Sequence, residues 1–360
     1  MLQLSQFTYP LPPELIAQIP AEPRDSSRLM VIDRTTQTLS HKRFSQLDQI
    51  LTANHVLVRN NTKVIPARIL GHKTTGGAVE ILLTHRLGLT AAGHERWECL
   101  TKPGLKAGQI IQFPTSSLSA TCSAVTDYTR EITFNLPHNQ LFSELMAIGH
   151  TPIPPYIHWA DEDETELREH YQTLYAKIAG SAAAPTAGLH FTPELDARLL
   201  AKGVEIFEVT LHVGLGTFLP VKTEAISKHR LHKEWFELTP EVAVALNSRR
   251  AAGKKLVAVG TTTTRVLESC ADSASLLQAK SGDTEIFLYP PYKFRAVDAL
   301  ITNFHLPESS LLMLVAALVS APNTSIPFES FSQSLIGQAY ATAIAQHYRF
   351  FSFGDGMVIL

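Results

Sequence analysis

Between Val56 and about Pro137 the chain reads as seven short β-rich runs with no convincing helix among them. They are Val56 to Val58, Val64 to Leu70, Val79 to Thr84, Trp97 to Leu100, Gln109 to Phe113, Ala120 to Val125 and Glu131 to Asn135, with turn signals at Gly76-Gly77, Pro103-Gly104 and Gly108. Strands at this spacing predict a small barrel or sandwich starting after Pro66.

Beyond His150 the texture changes. Asp161 to Lys177 carries Leu167, Tyr171, Leu174 and Tyr175 at helical spacing behind an acidic start, which predicts an amphipathic helix. Thr192-Pro193 is a cap and first-turn pair and Gly203 a stop, so a helix is expected from about Pro193 to Lys202. Val204 to Val213 reads as a strand with Val209, Leu211 and Val213 on one face and Glu208, Thr210 and His212 on the other. There follow a helix from about Pro240 to Ala252, a strand at Lys255 to Val259, a helix from about Thr264, strands near Ile286 to Tyr289 and Ala299 to Thr302, and a helix from Ser309 to Val319.

Alternation of this kind predicts an α/β layer. The Pro-rich N-terminal segment shows no core of its own. The expected fold class is therefore α/β: a mixed main domain built from both ends of the chain, residues 1–66 and 150–360, with a small β-barrel domain, 67–149, inserted.

At 360 residues the chain exceeds what one compact core usually organises, and 45% apolar residues exclude wholesale disorder. A formal charge of −2 gives no global positive field, so any RNA contact must come from a local patch. Fifteen histidines qualify this, since partial protonation would take the chain positive. Cys99, Cys122 and Cys270 are far apart, which argues for a reducing cytoplasm and against a cysteine-rich metal site. Pro10, Pro12 and Pro13 interrupt the N-terminus early, unlike a signal peptide, and the longest apolar run, Leu311 to Val319, is far short of the ~20 residues that span a bilayer. No membrane partner is expected, and a monomer is the working assumption.

Open α/β sheets bind ligands where their strands end at the carboxyl side. Three such ends here are rich in unusual polar residues: His212 to Thr217, Gly260 to Arg265, and Asn303 to Pro307. The backbone N–H groups of the Gly260-Thr261-Thr262-Thr263-Thr264-Arg265 turn suit a carboxylate or phosphate, although threonines also cap helices routinely. No Gly-Lys-Thr or Gly-Lys-Ser follows, so this is not a nucleotide P-loop. His212 on a strand is ordinarily a satisfied buried ring, but the glycines after it allow close approach of a ligand. His229 and His232 near Glu234 superficially suggest a metal, yet they lack the spacing of a helical zinc pair. No metal is expected.

Pro185 to Thr192 (PTAGLHFT), Thr210 to Phe218 (TLHVGLGTF), Val259 to Arg265 (VGTTTTR) and Thr302 to Pro307 (TNFHLP), in this order, closely resemble the S-adenosylmethionine:tRNA ribosyltransferase-isomerase family of queuosine synthesis. The resemblance extends through Leu11 to Arg34, Asn60 to Arg68, the Tyr292-Lys293-Phe294 turn and the closing Tyr348 to Asp355, essentially the whole chain. It implies transfer and isomerisation of the ribosyl portion of S-adenosylmethionine onto the aminomethyl nitrogen of 7-aminomethyl-7-deazaguanine at the wobble position of a tRNA. The products would be epoxyqueuosine-tRNA, adenine and methionine. S-adenosylmethionine is then a consumed substrate, and no cofactor is implied.

That chemistry asks for a base beside the sulfonium, a donor for departing adenine and a neutral incoming amine. The candidates are His190, His212 and His305 for proton traffic, with His229 and His232 second. Thr186, Gly188, Gly214, Gly216, Thr261, Thr262, Arg265 and Asn303 are the candidates for substrate binding. Among these, Arg265 would hold the methionine carboxylate, and Asn303 an adenine or deazaguanine edge. The candidate tRNA patch is Arg24, Arg28, Arg68, Lys102, Lys293, Arg295 and Arg349, with Tyr292 and Phe294 for stacking. Asn61 stands where many relatives carry Asp, Leu231 where Met is frequent and Gly356 where Ala is frequent. Arg59 replaces a commonly apolar residue and is expected to be exposed or to face RNA. The rival readings are a zinc-dependent hydrolase and a non-catalytic RNA-binding scaffold.

Overall fold

The computed structural model describes residues 2–114, 116–126, 128–158, 164–214 and 223–360. A mixed nine-stranded sheet forms the larger layer, and both ends of the chain contribute to it. From one edge to the other its strands are Lys280–Thr284, Glu234–Leu238, Glu205–Leu211, His55–Asn60, Lys255–Val259, Ala299–Asn303, Gly356–Ile359, Arg28–Asp33 and Thr38–Arg43. The four central strands from Glu205–Leu211 to Ala299–Asn303 run parallel, so Leu211, Asn60, Val259 and Asn303 end along one edge. Gly356–Ile359 runs antiparallel to Ala299–Asn303 and parallel to Arg28–Asp33, which brings Gly356 and Arg28 to that same edge.

The inserted unit is a closed six-stranded barrel of antiparallel pairs, from Arg68–Lys73 through Arg130–Phe134. Closure removes the free edges that a small sheet would otherwise expose. The helix His138–Ile148 adds Leu141 and Leu145 to the barrel core around Trp97, Ile111 and Phe134. Arg68 and His150 exchange backbone hydrogen bonds of 2.7 and 3.1 Å, so the chain enters and leaves the barrel side by side.

Local chemistry accounts for most helix starts. Thr192, Thr239 and Ser309 accept from the N–H groups of Leu195, Val242 and Leu312, each three residues on. Several expectations need correction. The helix expected over 161–177 is Glu164–His170 among the described residues, 161–163 lying outside them. Tyr171 and Tyr175 are buried from a turn while Leu174 is 56% exposed, so the apparent stripe did not lie on one helix face. Val64 to Leu70 is not one strand: Thr62–Val64 pairs with Ile178–Ser181, and Arg68–Lys73 opens the barrel. Ile286 to Tyr289 packs on the core without joining a ladder, and Lys280–Thr284 pairs instead. No helix among the described residues is long and apolar enough to cross a membrane.

Candidate active site at the carboxyl edge of the sheet

Lys255–Val259 passes into the helix Gly260–Cys270 without a loop, because Gly260 takes φ +88°, a left-handed conformation that costs other residues a Cβ clash. The helix therefore begins at Gly260, four residues earlier than expected. Thr263 and Thr264 turn their hydroxyls back onto the carbonyls of Val259 and Gly260, at 2.7 and 3.2 Å. Thr261 and Thr262 are left facing a cavity of about 250 Å³, and no side chain caps the helix start beside them. Uncapped N–H groups at a helix N-terminus favour an anion.

Thr186, Arg265, Asn303 and His305 line the same cavity. Arg265 is 8% exposed and its Nη1 pairs with the carboxylate of Glu234. Its Nε and Nη2 are buried without a partner. Glu234 Oε1 also accepts from the Gly214 N–H at 3.0 Å, so Gly214 stands one step behind the cavity. Gly216 lies outside the described residues.

Asn303 donates to the Phe351 carbonyl at 3.1 Å and to His190 Nε2 at 3.2 Å, and its Oδ1 accepts from Thr186 Oγ1 at 3.3 Å. Its amide is thus largely engaged within the protein, and what it offers a ligand is the second lone pair of Oδ1. With Nε2 accepting, His190 carries its proton on Nδ1, 2.9 Å from Ser27 Oγ. His190 is behind the wall, stacked on Phe44, and burial beside Arg349 pushes its pKa down to about 3. His305 is the histidine of the three that lines the cavity; its Nε2 is 3.0 Å from Thr302 Oγ1, and burial lowers its pKa to about 3. Both rings are neutral at pH 7.

His212 points elsewhere. Side chains alternate along a strand, so Val213 lines the cavity while His212 faces Thr62 Oγ1 at 2.8 Å and stacks on Trp235. Burial, with His85 and Arg86 adding to it, lowers its pKa to about 4. His229, edge-on to Phe287, does not line the cavity, and His232 lines a smaller pocket shared with Glu234 and Arg265. Among the described residues no three His, Cys, Asp or Glu side chains are grouped as a metal would require.

Gly188 does not line the cavity. A Cβ there would fall 2.0 Å from the Tyr175 hydroxyl, and the Tyr175 ring is held under the Arg59 guanidinium at 3.8 Å. Gly188→Ala is expected to cost about 1 to 3 kcal/mol through overpacking, read as a lower urea midpoint. Arg59 itself is neither exposed nor free to face RNA: it is 9% exposed and bonded to Asp196 at 2.6 Å and Glu208 at 3.3 Å. Asn61 bonds Thr210 and Glu208 and carries no charge into the site.

The residues proposed to meet tRNA divide into three places. Arg24, Arg28 and Arg349 lie at the cavity edge of the sheet. Arg24 donates to the carbonyls of Gln172 and Glu169, Arg28 to Gln346 while lying 3.6 Å over the Tyr348 ring, and Arg349 to the Ile19 carbonyl. Arg68 and Lys102 belong to the barrel, where Arg68 pairs with Glu80 at 2.8 Å. Tyr292, Lys293, Phe294 and Arg295 precede Ala299–Asn303 and so sit at the opposite edge. Glu268 holds that turn by accepting from the Tyr292 hydroxyl and from the N–H groups of Arg295, Ala296 and Val297.

The sequence did not single out Tyr156, Tyr171, Glu308, Phe351 or Ser352 as cavity residues. Phe351 and Ser352 were within reach, as they belong to the closing motif. Phe351 at φ 70° and Glu308 at φ 58° are left-handed non-glycines, a strain that clusters at functional sites but leaves no mark in sequence. Tyr156 packs 4.9 Å from Phe351 and bonds Ser352 Oγ at 2.8 Å, giving the cavity an aromatic side opposed in chemistry to Arg265.

A family model described as queuosine biosynthesis protein matches residues 4–359. A protein of Symbiobacterium thermophilum named S-adenosylmethionine:tRNA ribosyltransferase-isomerase is 50% identical over 363 residues, covering 100% of both chains. One of Desulfitobacterium hafniense with the same name is 46% identical over 364 residues, again covering 100% of both. The crystal structure of the S-adenosylmethionine tRNA ribosyltransferase of Thermotoga maritima is 38% identical, with a TM-score of 0.54 over 99% of this chain and 100% of that one. A match running from the first helical turn to the last strand takes in every loop that builds the cavity, and by it this chain belongs to the queuosine biosynthesis protein family.

Proposed function

We propose that this chain is an S-adenosylmethionine:tRNA ribosyltransferase-isomerase, which moves the ribosyl moiety of S-adenosylmethionine onto 7-aminomethyl-7-deazaguanine at the tRNA wobble position and releases adenine and methionine. The observation that carries this reading is one cavity that combines an unpartnered guanidinium edge, an uncapped helix start, a neutral histidine and an aromatic wall. Full-length relatives at 46% and 50% identity carry the same name.

Arg265, with Thr261, Thr262 and the helix start, binds the amino-acid carboxylate; Tyr156, Tyr171 and Phe351 take the flat purine. Thr186 and Asn303 set the floor between them. His305 is the proton acceptor beside the sulfonium, since it is the one of the three candidate histidines that lines the cavity. Arg24, Arg28 and Arg349 give a local positive edge for tRNA phosphates, because Arg24 and Arg28 donate to carbonyls and a neutral amide rather than to carboxylates. A tRNA substrate and three buried free cysteines fit the cytoplasm.

Incubation with S-adenosylmethionine and precursor-bearing tRNA is expected to release adenine. His305→Gln is expected to lower kcat by roughly 10²- to 10⁴-fold with little change in KM, the range general acid-base groups supply. tRNA binding without adenine release in the unaltered chain would instead identify an RNA-binding scaffold.

A further inference from the structure

A guanidinium can grip a carboxylate with two parallel bonds along the edge formed by Nε and one terminal nitrogen. In Arg265 that edge, Nε and Nη2, is the part left unpartnered, while Nη1 is taken by Glu234. Glu234 is 1% exposed and is fixed on its other oxygen by the Gly214 N–H. The pair bridges two strands and a helix: Glu234 opens Glu234–Leu238, Gly214 follows Glu205–Leu211, and Arg265 lies in Gly260–Cys270.

We propose that Glu234 is a positioning residue for substrate: it turns Arg265 so that the Nε/Nη2 edge, and not the end of the guanidinium, presents a two-point seat to the carboxylate of the amino-acid portion of S-adenosylmethionine. This rests on the activity proposed above. A second consequence follows from charge. Alone in the cavity wall, Arg265 would attract any small anion; with Glu234 neutralising part of it, the site rewards a ligand that matches the fork in shape. Glu234 acts through Arg265 and touches no reacting atom, so it governs which substrate is held rather than how fast the held one reacts.

The discriminating measurement is adenine release with precursor-bearing tRNA, comparing S-adenosylmethionine with its decarboxylated analogue in the full chain. The unaltered protein is expected to prefer S-adenosylmethionine by roughly 100-fold or more in kcat/KM, the scale of two charged hydrogen bonds. In Glu234→Gln that preference is expected to fall about tenfold, through a raised KM for S-adenosylmethionine, with kcat nearly kept. Glu234→Asp, which retains charge but shortens the reach, should fall between the two, and it serves where Glu234→Gln folds poorly. In Arg265→Gln the preference should be nearly abolished, and adding Glu234→Gln to it should change the preference no further.

A purely structural Glu234 would lower both substrates equally and leave the ratio at its original value, which overturns the proposal. A ratio near one in the unaltered protein overturns the carboxylate seat while leaving the ribosyl transfer intact. No adenine from either compound in the unaltered protein refutes the activity itself.

Discussion

Lowering the pH from 7.5 to 5 will cost this protein folding stability, roughly 6 kcal/mol of it through three buried histidines. His190 and His305 are held down to a pKa of about 3 and His212 to about 4, in each case chiefly by burial. In the unfolded chain each ring titrates near ~6.5. Between the two values the unfolded state binds the proton and the folded state does not, so stability rises with pH and is lost as pH drops below the unfolded value. At pH 5 each ring contributes about 2 kcal/mol of that loss.

Against a typical total of about 5 to 15 kcal/mol, the sum brings the chain close to its transition. Glu205, whose pKa is lowered to about 2 by Arg249 and Lys254, loses its contribution from the usual carboxylate value downward, mostly below this window, while burial raises the pKa of Glu268 and offsets part of the histidine loss. Urea midpoints at pH 7.5 and 5 should differ strongly. His190→Gln, which keeps a polar acceptor but cannot gain the proton, should remove about a third of the difference. Equal midpoints at the two pH values would mean that these rings are hydrated and titrate normally.

The same burial explains what could be read before any fold was known. Lys255–Val259 was legible to the residue, because an apolar run between a lysine and a glycine states both its ends locally. The capped helices at Pro193 and Pro240 were legible for the same reason: Thr192 and Thr239 satisfy N–H groups only three residues away. Arg28–Asp33 and Gly356–Ile359 were not: the first has a nearby partner in Thr38–Arg43, but the two strands also pair with each other across more than three hundred residues. The inserted barrel showed in the spacing of its strands, but its closing helix His138–Ile148 did not, as only Leu141 and Leu145 are fully buried in it.

For the site, sequence placed polar residues at strand ends and could go no further. Whether His212 or Val213 enters the cavity is decided by the phase of one strand. The Glu234 to Arg265 contact spans 31 positions and was visible only as an acid beside two histidines. Asn303 looked free to read a base because nothing local reveals that Phe351, His190 and Thr186 already engage its amide.

Replacing Arg265 with Met will test why the molecule keeps a buried ion pair at all. With Arg265 gone, the Glu234 carboxylate, 1% exposed, keeps the Gly214 N–H as its hydrogen-bond partner among the described residues. Breaking a buried pair from one side typically costs about 3 to 5 kcal/mol, because the surviving charge is stranded, whereas replacing both partners is often neutral. Arg265→Met should therefore lower the urea midpoint sharply, and Glu234→Gln in the same chain should recover most of the loss, since a neutral amide can still accept from Gly214. The recovered protein should nonetheless remain defective toward S-adenosylmethionine. A double variant no more stable than Arg265→Met would show that the guanidinium holds the two strands and the helix together by packing. Recovery of stability without recovery of turnover would separate the two demands on this pair: the fold can do without its charge, and the substrate cannot.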